Sequence, residues 1–205
     1  MTLATMASGR IINLLLPSPD TISIHDIATG LATANRFNGA TAGRDGQCTV
    51  PYTVAQHSTV VSCLIEQLHV EPLIALQALL HDGHKAITGE ITTPCQEALG
   101  DGLEYLLALQ RRLDIAIHAG LGLPWPDAKA SDTIRFADRK AFATEWRDMM
   151  PGQIPRGYPA PANFHVKAVP WHKALELFMK QFDRLSMLAG IHPPKIPNLP
   201  TGINK

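Results

Sequence analysis

The chemistry-bearing stretch of the chain is Leu79-Leu80-His81-Asp82-Gly83-His84-Lys85, where an imidazole and a carboxylate stand side by side. They close an apolar helical run that includes Leu73, Leu76, Ala78, Leu79 and Leu80. Burying such a pair is costly unless something compensates it. A divalent metal does so, since it takes a neutral imidazole and a carboxylate together. His57 lies on the apolar face marked by Val54 and Val61, and Asp138 lies in the stripe of Ile134 and Phe142. Each of these alone reads as a hydrogen-bonded core polar group. Together the set is two imidazoles and two carboxylates, a mixed N/O shell suited to Mn, Fe, Co, Zn or Ni.

The elements that must bring these residues together are helices. Ser23-Ile24-His25-Asp26 opens a first helix in capping-box style, with Asp for the usual Glu, and Ile24, Ile27, Ala28 and Leu31 carry it towards Asn35. A Gly- and Thr-rich loop runs to Pro51, and a second helix covers 54–68. Pro72 starts a third that ends near Asp82, and Lys85 to Glu90 adds one more turn. A longer helix covers 98–119, with Leu103, Leu106, Leu107, Leu113 and Ile117 in one stripe. The next begins at Asp127 or Ser131 and reaches Met150. The last opens at Pro170, with Trp171, Leu175, Phe178, Phe182 and Leu185 inward, and Gly190 ends it. The expectation is an all-α single domain of about six main helices. Its core spans 24–188, between an irregular arm over 1–22 and a Pro-rich tail over 190–205.

The 205 residues suffice for a sizeable core. Net charge is zero and charged residues make up only 18%, which argues against a nucleic-acid partner and a polybasic membrane anchor. Cys48, Cys63 and Cys95 are odd in number with no CxxC spacing, as expected of a reducing, cytoplasmic protein. The apolar run at Ile11 to Leu16 is cut by Pro17 and Pro19 and is too short to span a membrane.

The order His…His-Asp…Asp on helices resembles the HD-domain metal-dependent phosphohydrolases. Further segments extend the likeness: Arg36-Phe37, Tyr52-Thr53-Val54-Ala55-Gln56-His57-Ser58, Thr88-Gly89-Glu90-Ile91-Thr92-Thr93-Pro94, and Ala137-Asp138-Arg139 with Ala143-Thr144-Glu145. They are similar to the branch that holds bacterial 5′-deoxynucleotidases, phage HD proteins and phage dATP triphosphohydrolases. The resemblance implies that His57, His81, Asp82 and Asp138 hold the metal, which activates a water and polarises a phosphoryl oxygen. It implies that Arg36 grips phosphate, that Phe37 lies near the base or sugar, and that Glu90 lies near the sugar and the water. Arg139 adjoins Asp138 and is a further phosphate-binding candidate. The resemblance also implies a small nucleotide substrate, additional Mg with a triphosphate, and a homo-oligomer built of dimers. If the gene is phage-borne, the compartment is the bacterial host cytoplasm.

One position departs from that branch. Where many members carry a glutamate three residues after the His-Asp pair, this chain has Lys85. A lysine is no base at neutral pH unless its pKa is depressed. Either the metal water suffices with Glu90 or His84 assisting, or Lys85 holds a polyphosphate, or catalysis is weakened. The expected function is dNTP hydrolysis to nucleoside and triphosphate, with dATP the sharpest candidate. The alternatives are a 5′-deoxynucleotidase acting on monophosphates and a non-catalytic HD module that binds or senses a nucleotide. An oligonucleotide phosphodiesterase would need a more basic groove.

Overall fold

The computed structural model describes residues 2–41 and 50–194. The loop stretch 42–49, with Cys48, and the tail from 195 lie outside the described residues. The arm forms a small antiparallel hairpin, β1 (Leu3–Thr5) on β2 (Ile11–Asn13), with Ala4 opposite Ile12. Ile12 points into the core. Eight helices follow among the described residues: α1 (Ile24–Thr33), α2 (Val54–Glu66), α3 (Pro72–Leu79), α4 (Lys85–Thr88), α5 (Thr93–Glu97), α6 (Gly102–Gly120), α7 (Ala128–Met149) and α8 (Trp171–Ala189). Six of them have eight residues or more, in line with the helical periodicity of the sequence. No helix among the described residues is long and apolar enough to cross a membrane.

α2 sits at the centre, against α3, α7 and α8, while α8 also covers α1 and α3. Ile27, Leu31, Val61, Ile65, Leu76, Leu79, Phe178 and Phe182 fill the space between them. Two glycines allow close approaches. Gly30 of α1 lies against α4, where an added Cβ would meet the Ala86 carbonyl oxygen at 2.5 Å and its Cα at 2.8 Å. Gly120 lets the end of α6 seat on the turn at Pro19–Thr21, where a Cβ would be 2.6 Å from the Pro19 oxygen.

Several sequence expectations change. The capping box at Ser23 does not form, because Asp26 is already committed to the arm. Its carboxylate accepts from the Ser8 N–H at 2.8 Å and the Ser8 hydroxyl at 2.6 Å, which ties the hairpin to α1. α3 stops at Leu79, so His81 and Asp82 sit in the turns leading to α4 rather than on the helix itself. Only the C-terminal half of the expected α6 stripe is buried. Leu113 and Ile117 are inside, but Leu103 and Leu106 are half-buried and Leu107 is exposed, at the end of α6 that the short α5 packs beside. Trp171 is 51% exposed rather than inward, since the buried stripe of α8 begins at Ala174.

The α1–α4 contact generates a prediction. Gly30→Ala gains about 1 kcal/mol of helix propensity. It must also push α4 back, and overpacking of this kind costs about 1–3 kcal/mol. A net loss of stability in urea or thermal unfolding is therefore expected. A gain would show that α1 and α4 separate easily.

Candidate metal centre

Four pieces of chain converge on one buried cluster. A short antiparallel ladder joins residues 34–36 to 52–54: Arg36 N–H donates to the Tyr52 carbonyl at 2.8 Å, and Val54 N–H to the Ala34 carbonyl at 2.9 Å. That ladder sets Arg36 beside the start of α2. There the Thr53 hydroxyl caps the helix by accepting from Gln56 N–H at 3.2 Å, and His57 follows in the first turn, fully buried. Past α3 the chain steps through turns, with Gly83 N–H on the Leu80 carbonyl at 2.9 Å and Lys85 N–H on the Asp82 carbonyl at 3.0 Å. These turns present His81 and Asp82. α7 supplies Asp138 and, two helical turns on along the same face, Glu145.

The four expected ligands meet. His57 Nε2 lies 3.1 Å from Asp138 Oδ1 and 3.6 Å from Asp82 Oδ2. His81 Nε2 lies 3.4 Å from Asp82 Oδ2 and 3.7 Å from Asp138 Oδ1. The donor atoms of His57, His81 and Asp138 all fall within 4.8 Å of one another, a group that could hold a metal ion. The imidazoles are oriented for it. His57 Nδ1 donates to Glu145 Oε1 at 2.6 Å, and His81 Nδ1 donates to the Ala78 carbonyl at 2.8 Å. In the neutral tautomer that a metal requires, each ring would offer its Nε2 lone pair, and neither Nε2 has a hydrogen-bond partner. Lone pairs facing carboxylate oxygens in a buried space call for a cation.

The charge balance points the same way. Lys85 Nζ bridges Asp82 Oδ2 at 2.9 Å and Glu90 Oε2 at 2.8 Å. Arg36 bridges Glu90 Oε1 at 3.3 Å and Glu145 Oε2 at 3.5 Å. Among the described residues, two cations thus face the carboxylates of Asp82, Glu90, Asp138 and Glu145, and with both imidazoles neutral, as metal ligands must be, two negative charges are unmatched. One divalent ion would neutralise them. Burial works against a charge on His81, but Asp82 and Asp138 outweigh it and push its pKa up to about 9. The field that draws a proton to this Nε2 would draw a metal. Burial also opposes the charge on Asp138, yet the adjacent His57 and His81 imidazoles hold its pKa well below the usual carboxylate range. Glu145 is likewise held low against burial by His57 and Arg36. Burial and the Glu145 carboxylate together push the Tyr52 phenol up, so it stays a donor to Glu145 at 3.1 Å.

The remaining candidates spread outwards. Glu90 is enclosed by Arg36 and Lys85. Phe37 adopts φ 53°, a left-handed conformation rare for a bulky residue, with its ring 5.7 Å from Phe142 and 5.9 Å from Trp146. His84 donates from both N and Nδ1 to the Asp114 carboxylate, each at 2.9 Å. Arg139 reaches the Gly157 carbonyl and lies over the Tyr158 ring at 4.7 Å. Sequence reasoning gave no role to Glu145, Asp114, His118 or Trp125. The seven-residue step from Asp138 to Glu145 was the available signal for the first of these.

No protein-family model matches the chain. An uncharacterized protein of Rhodobacter capsulatus is 40% identical over 121 residues, and that match spans 58% of this chain and 58% of the relative's length. The uncharacterized Escherichia coli protein YfdR is 30% identical over 174 residues, 82% of this chain and 87% of YfdR. With most of both chains aligned, the protein belongs to the family of YfdR.

Proposed function

We propose that this chain is an HD-domain metal-dependent phosphohydrolase acting on deoxynucleotides, with dNTP triphosphohydrolysis, dATP first, as its sharpest form. The observation that carries the reading is the pair of imidazole Nε2 atoms without hydrogen-bond partners that face the Asp82 and Asp138 carboxylates. His57, His81, Asp82 and Asp138 would hold a Mn, Co, Fe, Ni or Zn ion. Such an ion lowers the pKa of a water and polarises a phosphoryl oxygen. The chain's own groups do the rest. Glu145 fixes the His57 tautomer through Nδ1. Arg36 and Lys85 hold Glu90 in place at the edge of the cluster. Asp138, the most exposed of the four, faces the entrance from which a phosphate would approach.

Metal content tests this directly. Mn²⁺ or Co²⁺ should bind the protein stoichiometrically and raise its melting temperature, by the equivalent of about 2.7 kcal/mol at 100 times Kd. In Asp138→Asn the metal-dependent rise should vanish. The metal-free variant should be no less stable than the parent, since one unmatched charge is gone. Retained stoichiometric metal in the variant would remove Asp138 from the ligand set. A panel of deoxynucleoside mono- and triphosphates with Mn, Co or Mg, its products separated by chromatography, identifies the reaction.

A second reading, the nucleotide-binding module without turnover, is favoured by one contact. Lys85 places an ammonium on the Asp82 oxygen that also faces both imidazoles. Burial disfavours that ammonium, but Asp82 and Glu90 hold its pKa above the ordinary lysine value, so it stays charged. Removing it in Lys85→Ala should tighten metal binding, on the order of tenfold, by relieving Coulomb repulsion. Lys85→Glu decides between the readings. A rise in turnover of about 10²–10⁴-fold, the contribution of a general acid–base group, would mark the lysine as a block on catalysis. A fall would make it part of the working site.

A further inference from the structure

A cleft of about 290 Å³ opens beside the metal cluster, between α3, α6, α7 and the loop that follows α6. His81 and Asp138 form its inner end, and its walls include Asp114, His118, Trp125 and Ile134. Neither Arg36, Phe37, Lys85 nor Glu90 lines it. Trp125 is 49% exposed, which is unusual for an indole that is not serving a surface. It stands between Pro124 and Pro126, and the loop is pinned by two bonds: Gln77 Nε2 to the Pro124 carbonyl at 3.0 Å, and Leu123 N–H to the His118 carbonyl at 2.8 Å. The backbone that carries the indole is therefore held, and the ring lies 5.0 Å from that of His118.

Two of the polar groups that line the cleft on α6, Asp114 and His118, accept rather than donate, while Gln77, Ser131 and Arg135 bring donors to its other sides. Asp114 is held by His84 through both oxygens and still has lone pairs towards the cleft. His118 donates from Nδ1 to the Asp114 carbonyl at 2.9 Å, which leaves Nε2 an acceptor, buried and without a partner. His118 is 5% exposed, and burial pushes its pKa down, so the ring is neutral.

We propose that this cleft is the base subsite: a planar heteroaromatic ring carrying an amino group stacks on Trp125, with Asp114 and His118 on its donor edge and its phosphate end directed to His81 and Asp138. The inference rests on the nucleotide reading above and adds where the base lies and which bases suit it. Stacking on an indole is sequence-tolerant by itself, so the acceptor wall supplies the selection. The volume lies at the low end for small-molecule sites, which suits one nucleoside rather than an oligonucleotide.

The test uses deoxyadenosine, which carries no scissile phosphate, titrated into the Mn²⁺-loaded protein while tryptophan fluorescence and calorimetric heat are followed. Saturable quenching is expected. It should persist in Trp171→Phe, whose indole is exposed on α8, and disappear in Trp125→Phe, which should keep part of the affinity by calorimetry. Trp125→Ala should bind at least tenfold more weakly, the loss of one base–aromatic stack. Purine deoxyriboside, which lacks the amine, should bind several-fold more weakly than deoxyadenosine. Unchanged affinity in Trp125→Ala, or quenching lost only in Trp146→Phe, would put the base beside Phe37 and overturn the proposal while leaving nucleotide hydrolysis intact. If deoxyadenosine does not bind and no deoxynucleotide is hydrolysed, the nucleotide reading itself fails, and the base subsite with it.

Discussion

Unmatched negative charge in a buried space is the constraint on which the rest of the structure turns. Removing a carboxylate from water costs several kcal/mol even after relaxation. Asp82, Glu90 and Glu145 are all largely or wholly buried, and Asp138 is partly so. The chain answers with two buried cations and two imidazoles whose Nδ1 atoms are already committed. The remaining charge can be met by protons, as the raised His81 pKa shows, or by a metal. The helices around the cluster follow from this. Without the tight α1–α4 contact at Gly30 and the ladder between residues 34–36 and 52–54, Lys85, Arg36 and Glu90 would not be held within salt-bridge distance.

Lys85 changes the character of the site without removing it. A glutamate at this position would remove one cation and add one carboxylate, raising the unmatched charges from two to four and deepening the demand for cations. The lysine instead ties Asp82 to Glu90 and takes up part of that demand from within the chain. The same substitution thus lowers the desolvation cost of the empty cluster and weakens its attraction for a metal. Which effect matters more depends on how much of the Asp82 charge is left for a metal, because the oxygen held by Lys85 is the one that faces both imidazoles.

Much of this was legible before any coordinates. His57, His81, Asp82 and Asp138 stand out because an ionisable group on an apolar stripe needs compensation, and that argument holds for any arrangement of the helices. The long helices were legible for the same reason, since their periodicity is a core pattern. What was not legible depends on distant partners. Asp26 looks like a helix cap from its neighbours and is a tether for Ser8 in space. His118 and Trp125 are ordinary residues in the sequence and share a cleft only because α6 ends beside α7. The arm's hairpin is too short to show a strand period. Trp171 fits the helical spacing of α8, but it stands 51% exposed while Ala174 of the same turn is buried.

The incomplete packing of α6 links the fold to the cleft. Fully burying a leucine or isoleucine contributes about 1.5–3 kcal/mol. Leu107 and Ile115 each keep roughly half of their surface in water and forfeit part of that. A closer approach of α6 to α7 would narrow the space between His118 and Ile134 that forms the cleft. The fold fixes α6 at its C-terminal end, through Gly120 on the Pro19 turn and Leu113 and Ile117 in the core. The anchored end of α6 thus carries Asp114 and His118, and the cleft between α6 and α7 reaches from them to His81 and Asp138.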